Sequence, residues 1–150
     1  MPLSAAETVD LVPLFESLGK RERRKLASGL NERRYSAGDA LSSEHDGGIG
    51  FFLVAEGSAT VTVNGNPRRT LGPGDYFGEM ALIDDFPRSA DALAHEACRL
   101  FVLNKDRVAD LLFVDRDLAY DLLWTFVRTL SARLRETNDK MTFLAVSSRF

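Results

Sequence analysis

Between Arg33 and Leu103 no apolar run lasts longer than a few residues before a turn signal interrupts it. Phe51-Phe52-Leu53-Val54 reads as a buried strand stopped at Gly57, and Ala59 to Val63 alternates apolar residues with threonines as a half-buried strand does. Asn64-Gly65 is a type I′ hairpin signal, since both central residues must tolerate positive φ. Gly72-Pro73-Gly74-Asp75 suits a type II turn, with Pro73 presetting φ and Gly74 taking the positive angle. Gly38-Asp39 and Asp46-Gly47-Gly48 add two more turns, and Arg99 to Leu103 one more strand. Strands this short and this closely spaced leave no room for crossover helices. They predict an antiparallel barrel, roll or jelly roll.

Helices are expected on both sides of the sheet. Val9, Leu11, Val12, Leu14, Phe15 and Leu18 form a close-spaced apolar set in which Pro13 should start or kink a helix. Gly19 is a break, and Leu26 and Leu30 share one face of a second helix, Arg21 to Leu30. The run Lys20 to Lys25 reads as a solvated helix face, with a basic docking surface as the alternative. After the sheet, Asn104 can cap a helix from Lys105 to about Phe113, and Asp115 or Asp117 a longer one to about Lys140. The long helix carries two stripes. One is Leu118, Leu122 and Phe126; the other is Leu123, Val127, Leu130, Leu134, Thr137 and Met141, spaced alternately by four and three as in a coiled-coil seam. The second stripe is compatible either with a partner helix or with packing on the chain's own sheet.

With 150 residues, 45% of them hydrophobic and 27% charged, the chain suits one globular domain. A net charge of −3 argues against a dedicated nucleic-acid binder. Cys98 is the only cysteine, so an internal disulfide and a Cys-rich metal site are excluded. Only His45 and His95 are present, without His-X-His spacing; both read as surface or turn residues and not as ligands of a cupin-type metal enzyme. No signal-peptide pattern opens the chain, and no apolar run approaches the roughly 20 residues a membrane helix needs. A cytoplasmic setting is expected.

The chemistry concentrates in Gly74-Asp75-Tyr76-Phe77-Gly78-Glu79-Met80-Ala81-Leu82-Ile83-Asp84-Asp85-Phe86-Pro87-Arg88-Ser89-Ala90. A short helix is expected to open near Gly78, followed by a turn through Asp84 to Pro87 and a return to the sheet at Ser89. A helix N-terminus offers unpaired N–H groups and a partial positive charge to a phosphate. Gly78 permits close approach of a ligand to the backbone. Arg88 can pair bidentately with a phosphate, Ser89 can add a hydroxyl, and Glu79 can accept from a ribose hydroxyl. Each feature alone is common; their combination within one short segment is not.

The segment resembles the phosphate-binding cassette of the cyclic-nucleotide-binding domain family, whose pattern is Phe-Gly-Glu, two or three apolar residues, a variable turn, then Arg, a small residue and Ala. Here it reads Phe77-Gly78-Glu79-Met80-Ala81-Leu82 and Pro87-Arg88-Ser89-Ala90. The likeness extends to Pro13-Leu14-Phe15, Tyr35 to Gly38, Gly57, Gly72 to Asp75 and the final helix. It implies an α+β, mainly β fold: an eight-stranded antiparallel β-roll with N-terminal helices and a long C-terminal helix. Residues 1–31 would be the N-terminal helices, 32–103 the roll with its cassette at 77–90, 104–141 the C-terminal helices and 142–150 a tail.

The resemblance also implies roles. Arg88 and Ser89 would hold the cyclic phosphate, Glu79 the ribose 2′-hydroxyl, and Phe77, Gly78, Met80, Ala81 and Ala90 would line the cradle. Arg133 to Lys140 matches the base-contacting stretch of the family's long helix and places Thr137 and Asn138 at the base, favouring cyclic AMP over cyclic GMP. No cofactor, metal or catalysis is implied. The bacterial transcription factors of the family continue into a helix-turn-helix domain, and the sequence reaches Phe150 without a second helix pair that would form one. A stand-alone sensor is therefore expected, without direct nucleic-acid contact, reporting through its last helix to a protein partner or a second copy. The alternatives are a ligand-free interaction module of the same fold, or a truncated part of a cyclic AMP-responsive transcription regulator.

Overall fold

The computed structural model describes residues 2–42, 50–78 and 91–147. Three helical elements come first: α1 (Ala5–Leu11), a 3₁₀ turn (Pro13–Phe15) and α2 (Lys20–Ser28). Eight strands follow among the described residues: β1 (Asn31–Tyr35), β2 (Ala40–Ser42), β3 (Gly50–Glu56), β4 (Ala59–Val63), β5 (Asn66–Leu71), β6 (Tyr76–Phe77), β7 (Asp91–Ala94) and β8 (Cys98–Asn104). Then come α3 (Lys105–Val114) and α4 (Arg116–Ser147). The strands form two four-stranded sheets, ordered β1-β8-β3-β6 and β2-β7-β4-β5, with every pairing antiparallel. This is the antiparallel roll expected from the turn spacing.

The first sheet is the middle of three layers. Along β3, Phe51, Leu53 and Ala55 face a core shared with the helices, whereas Phe52 and Val54 face a core between the sheets. β8 divides the same way: Phe101 and Leu103 toward the helices, Cys98, Leu100 and Val102 toward the second sheet. Period-two geometry thus sorts an unbroken apolar run onto two buried faces. The Cys98 thiol lies in the inter-sheet core, where burial first and then Asp39 and Glu96 push its pKa up.

The turn residues act as their chemistry requires. Asn64 and Gly65 have φ of 52° and 77°, the type I′ pair. Gly74 has φ 90°, and the Asp75 N–H donates to the Gly72 carbonyl at 2.9 Å. The Asp75 carboxylate accepts from the Gly72 N–H at 2.9 Å, and Val54 of β3 exchanges 3.0 Å backbone bonds with Gly74 and Asp75. The chain therefore enters β6 from a doubly fastened turn.

The helices pack on the free face of the first sheet. Ser4 and Glu7 form a reciprocal capping box at the start of α1, and Pro13 begins the 3₁₀ turn. Gly19 precedes α2, which ends at Ser28, so Leu30 lies two residues beyond the helix that its spacing from Leu26 predicts for it. The basic run splits. Arg23 bonds Asp10 at 2.9 Å and the Leu18 carbonyl, Arg21 bonds Asp115, and Lys20, Arg24 and Lys25 stay exposed. Arg99 is buried on β8, donates to the Leu3 carbonyl at 2.7 Å and lies 3.6 Å from both Glu32 and Glu56, tying the N-terminal arm to the roll.

The C-terminal helices differ from expectation in one cap and one boundary. Asn104 precedes α3 but makes no side-chain cap bond. The long helix continues to Ser147, past Lys140 and through most of the stretch expected as a tail, because Met141 to Ser147 contains no glycine or proline to stop it. Asp115 is its cap: its Oδ1 accepts from the Leu118 N–H at 3.0 Å. Leu118, Leu122 and Phe126 are buried in the helix-side core. The other stripe is not: Leu123, Val127, Leu134 and Met141 are 53–64% exposed. Among the described residues no helix is long and apolar enough to cross a membrane.

Candidate functional site

β6 carries the chain to the expected cassette. Tyr76 and Phe77 pair with Leu53 and Phe52 of β3. The Phe77 ring stacks on that of Phe52, centroids 4.6 Å apart and planes 1° from parallel, and is buried between the sheets. Its side chain anchors the strand that leads into the expected cassette, because a ring at this parity of β6 points into the inter-sheet core.

Gly78 follows with φ 86°. That conformation strains any side chain with a Cβ, so the Phe-Gly step is required by the backbone itself, independently of any ligand. Glu79, Met80, Ala81, Arg88, Ser89 and Ala90 lie outside the described residues, as do the short helix expected at Gly78 and the turn at Asp84 to Pro87. The chain leaves the first sheet after Phe77 and is next described at Asp91 in the second, where β7 lies between β2 and β4. The anchors on either side of the segment are thus held by different sheets.

The residues expected at the base are on α4. Thr137 and Asn138 are exposed. The Thr137 hydroxyl donates to the Arg133 carbonyl at 2.9 Å, so its hydrogen is used within the helix and its outward lone pair is an acceptor. One turn earlier the Arg133 guanidinium donates to the Tyr76 hydroxyl at 3.2 Å, with its carbon 6.0 Å from the ring centroid. Residues 133 and 137 share a helix face. The face bearing Thr137 is therefore the one that meets the strand leading into Gly78.

The Arg133–Tyr76 contact did not emerge from the motif. Both residues flank quoted stretches, Tyr76 directly before Phe77 and Arg133 at the start of the helix segment, but nothing in spacing alone pairs residues so distant in sequence. Tyr76 is backed by Phe51 at 5.4 Å, and Phe51 by Phe15 of the 3₁₀ turn at 5.8 Å.

Among the described residues, shallow clefts of 270–350 Å³ lie along the 3₁₀ turn and the root of α4, lined by residues such as Pro13, Glu16, Ser17 and Arg128. Of the two histidines, His95 is exposed in the β7–β8 turn and His45 lies outside the described residues. Among the described residues no three His, Cys, Asp or Glu side chains converge as metal ligands would.

Residues 32–115 match the family model described as a cyclic nucleotide-binding domain. Over 103 residues, 67% of this chain, the sequence is 41% identical to a cAMP-dependent protein kinase regulatory subunit from Yarrowia lipolytica, of which the match covers 28%. The chain spans about a quarter of the length of the curated relatives it matches. In structure it resembles the Thermus thermophilus catabolite activator protein, with TM-score 0.76 and 32% identity over 89% of this chain and 63% of that one. It also resembles the regulatory domain of Toxoplasma gondii PKA crystallised with cAMP, with TM-score 0.68 and 28% identity over 77% of this chain and 47% of that one.

Proposed function

The chain belongs to the cyclic nucleotide-binding domain family, and from that membership we propose that it is a non-catalytic regulatory module that binds cyclic AMP between the cassette and α4. Arg88 and Ser89 take the phosphate, Glu79 the ribose 2′-hydroxyl, the backbone around Gly78, Met80, Ala81 and Ala90 the rest of the cradle, and Thr137 and Asn138 the base.

The observation that carries the choice of base is the Thr137 hydroxyl. Its hydrogen is committed to the Arg133 carbonyl, so toward a ligand it offers an acceptor. The adenine edge presents an amino donor at the position where guanine presents a carbonyl acceptor. An acceptor on α4 therefore favours cyclic AMP, as do the cAMP-linked names of the kinase subunit and the Toxoplasma structure.

Output is proposed to run through α4. A ligand that touches both the cassette and the helix favours whichever arrangement lets it touch both. The exposed stripe of Leu123, Val127, Leu134 and Met141 supports pairing with a second copy or a partner helix, at the spacing of a coiled-coil seam.

The test is a side-by-side calorimetric titration with cyclic AMP and cyclic GMP. Tighter binding of cyclic AMP is expected. At a ligand concentration about 100-fold above the dissociation constant, the fold should gain about 2.7 kcal/mol. No heat and no thermal shift with either nucleotide at millimolar concentration would sink the reading.

A further inference from the structure

We propose that Arg133 and Tyr76 form a latch that sets the position of α4 against the roll, acting as positioning residues for the base-reading face one turn further on. The inference rests on the cyclic AMP reading only for its effect on ligand choice; the latch itself is a property of the ligand-free protein.

From Ser131 to Val146, every described side chain of α4 except Arg133 is exposed. The helix leaves the core at Phe126, and beyond Leu130 the half-buried Arg133 meets Tyr76 of the roll among the described residues. The partner is well fixed. Tyr76 is held in β6 by its pairing with Leu53, and its ring is backed by Phe51 at 5.4 Å, which is itself met edge-on by Phe15 at 5.8 Å. The Tyr76 hydroxyl is therefore a fixed peg at the end of an aromatic row that begins in the 3₁₀ turn. The guanidinium meets the peg both by a hydrogen bond of 3.2 Å and by proximity to the ring face at 6.0 Å. The Arg133 carbonyl holds the Thr137 hydroxyl. One residue thus grips the strand that leads into Gly78 with its side chain and orients Thr137 with its backbone.

The test uses Tyr76→Phe, which removes only the hydroxyl, Arg133→Met, which removes the guanidinium, and the double variant. In the ligand-free protein, amide exchange of residues 127–138 should quicken in either single variant, more in Arg133→Met than in Tyr76→Phe, and the double should match Arg133→Met, because the guanidinium carries the hydrogen bond that Tyr76→Phe removes together with its other contacts. The melting temperature should stay near wild type. Wild-type exchange in both singles, or additive effects in the double, would overturn the latch. With ligand, the loss of one hydrogen bond should weaken cyclic AMP about two- to tenfold and lower its preference over cyclic GMP, with partial recovery in Arg133→Lys. An unchanged nucleotide preference would overturn the positioning role. If wild type binds neither nucleotide, the proposed function fails by itself and the exchange experiment still decides the latch.

Discussion

Arg21 donates to both oxygens of Asp115, at 2.7 and 3.4 Å, and the oxygen that makes the longer bond also caps α4 by accepting from the Leu118 N–H at 3.0 Å. One carboxylate therefore joins α2 to the corner between α3 and α4. Asp115→Ala should lower the melting temperature more than Arg21→Ala, since it removes the cap as well as the ion pair. Asp115→Asn, which can still cap, should fall close to Arg21→Ala. Thermal melts of the three variants check the order.

The same interface carries a pair of like charges. Glu22 is pushed above the ordinary carboxylate range, first by burial and then by Asp121 beside it, and its Oε2 is buried without a donor. Protonated Glu22 is the form the fold prefers, so its stabilising contribution is complete below pH 4.5 and is lost as pH rises through the elevated folded value. Asp115 works in the opposite sense. Arg21 and the Leu118 N–H hold it down to about 2, so its contribution is present above 3.8 and lost as pH falls toward that value. Glu22→Gln should stabilise the protein at neutral pH and flatten the upper limb of its stability profile. Urea midpoints from pH 4 to 8, on the order of one reading per unit, test this; a variant with the wild-type slope would refute it.

Gly57 separates β3 from β4 with φ 76°, and a Cβ there would lie 2.2 Å from the Ala97 carbonyl oxygen. Gly65 has nearly the same angle with nothing within 4 Å. Gly65→Ala should cost about 1–2 kcal/mol from backbone strain alone. Gly57→Ala should cost clearly more, because a backbone carbonyl must also move. Equal losses in chemical denaturation would mean that the strand end yields without resistance.

Arg88→Ala is expected to cost about 2–5 kcal/mol of cyclic AMP binding, by leaving a phosphate without its charged partner. Thr137→Ala combined with Asn138→Ala should weaken cyclic AMP more than cyclic GMP. Paired titrations separate the two halves of the site: full affinity in the Arg88 variant would remove the phosphate assignment, and equal losses in the α4 variant would place base reading elsewhere.

Leu134→Glu with Met141→Glu places charge on the exposed stripe without touching either core cluster. Light scattering with and without cyclic AMP should give a paired mass for wild type under at least one condition, and a single-chain mass for the variant under both. A wild type that remains a single chain throughout would leave the stripe for a different protein.

The sequence made the roll legible where the turn chemistry is strict. Asn64-Gly65 and Gly72 to Asp75 gave their turns correctly because few residues tolerate those angles. β1 and β5 were hidden for the converse reason. As edge strands they expose Arg33, Arg34, Arg68 and Arg69, so no apolar alternation marks them. The buried stripe of α4 was readable from a spacing of four, but its exposure beyond Phe126 was not, since spacing shows which residues share a face and not what covers it. At the candidate site, Gly78 carried its backbone requirement openly. The Phe77 ring's place against Phe52 follows from the pleat and not from the motif that includes it. The Arg133–Tyr76 bond depends on how helix and strand cross, which no local pattern encodes.

Phe126 is the last core residue of a helix that runs on to Ser147. At 1.5 Å per residue the overhang is about 30 Å long. A tilt of about 10° at its root would sweep the tip through roughly 5 Å, comparable to one helical turn. Such an overhang would serve as a lever arm: an adjustment at Arg133 too small to disturb the roll would be multiplied with distance, carrying Phe143 and Leu144, near its end, far enough to gain or lose a neighbour.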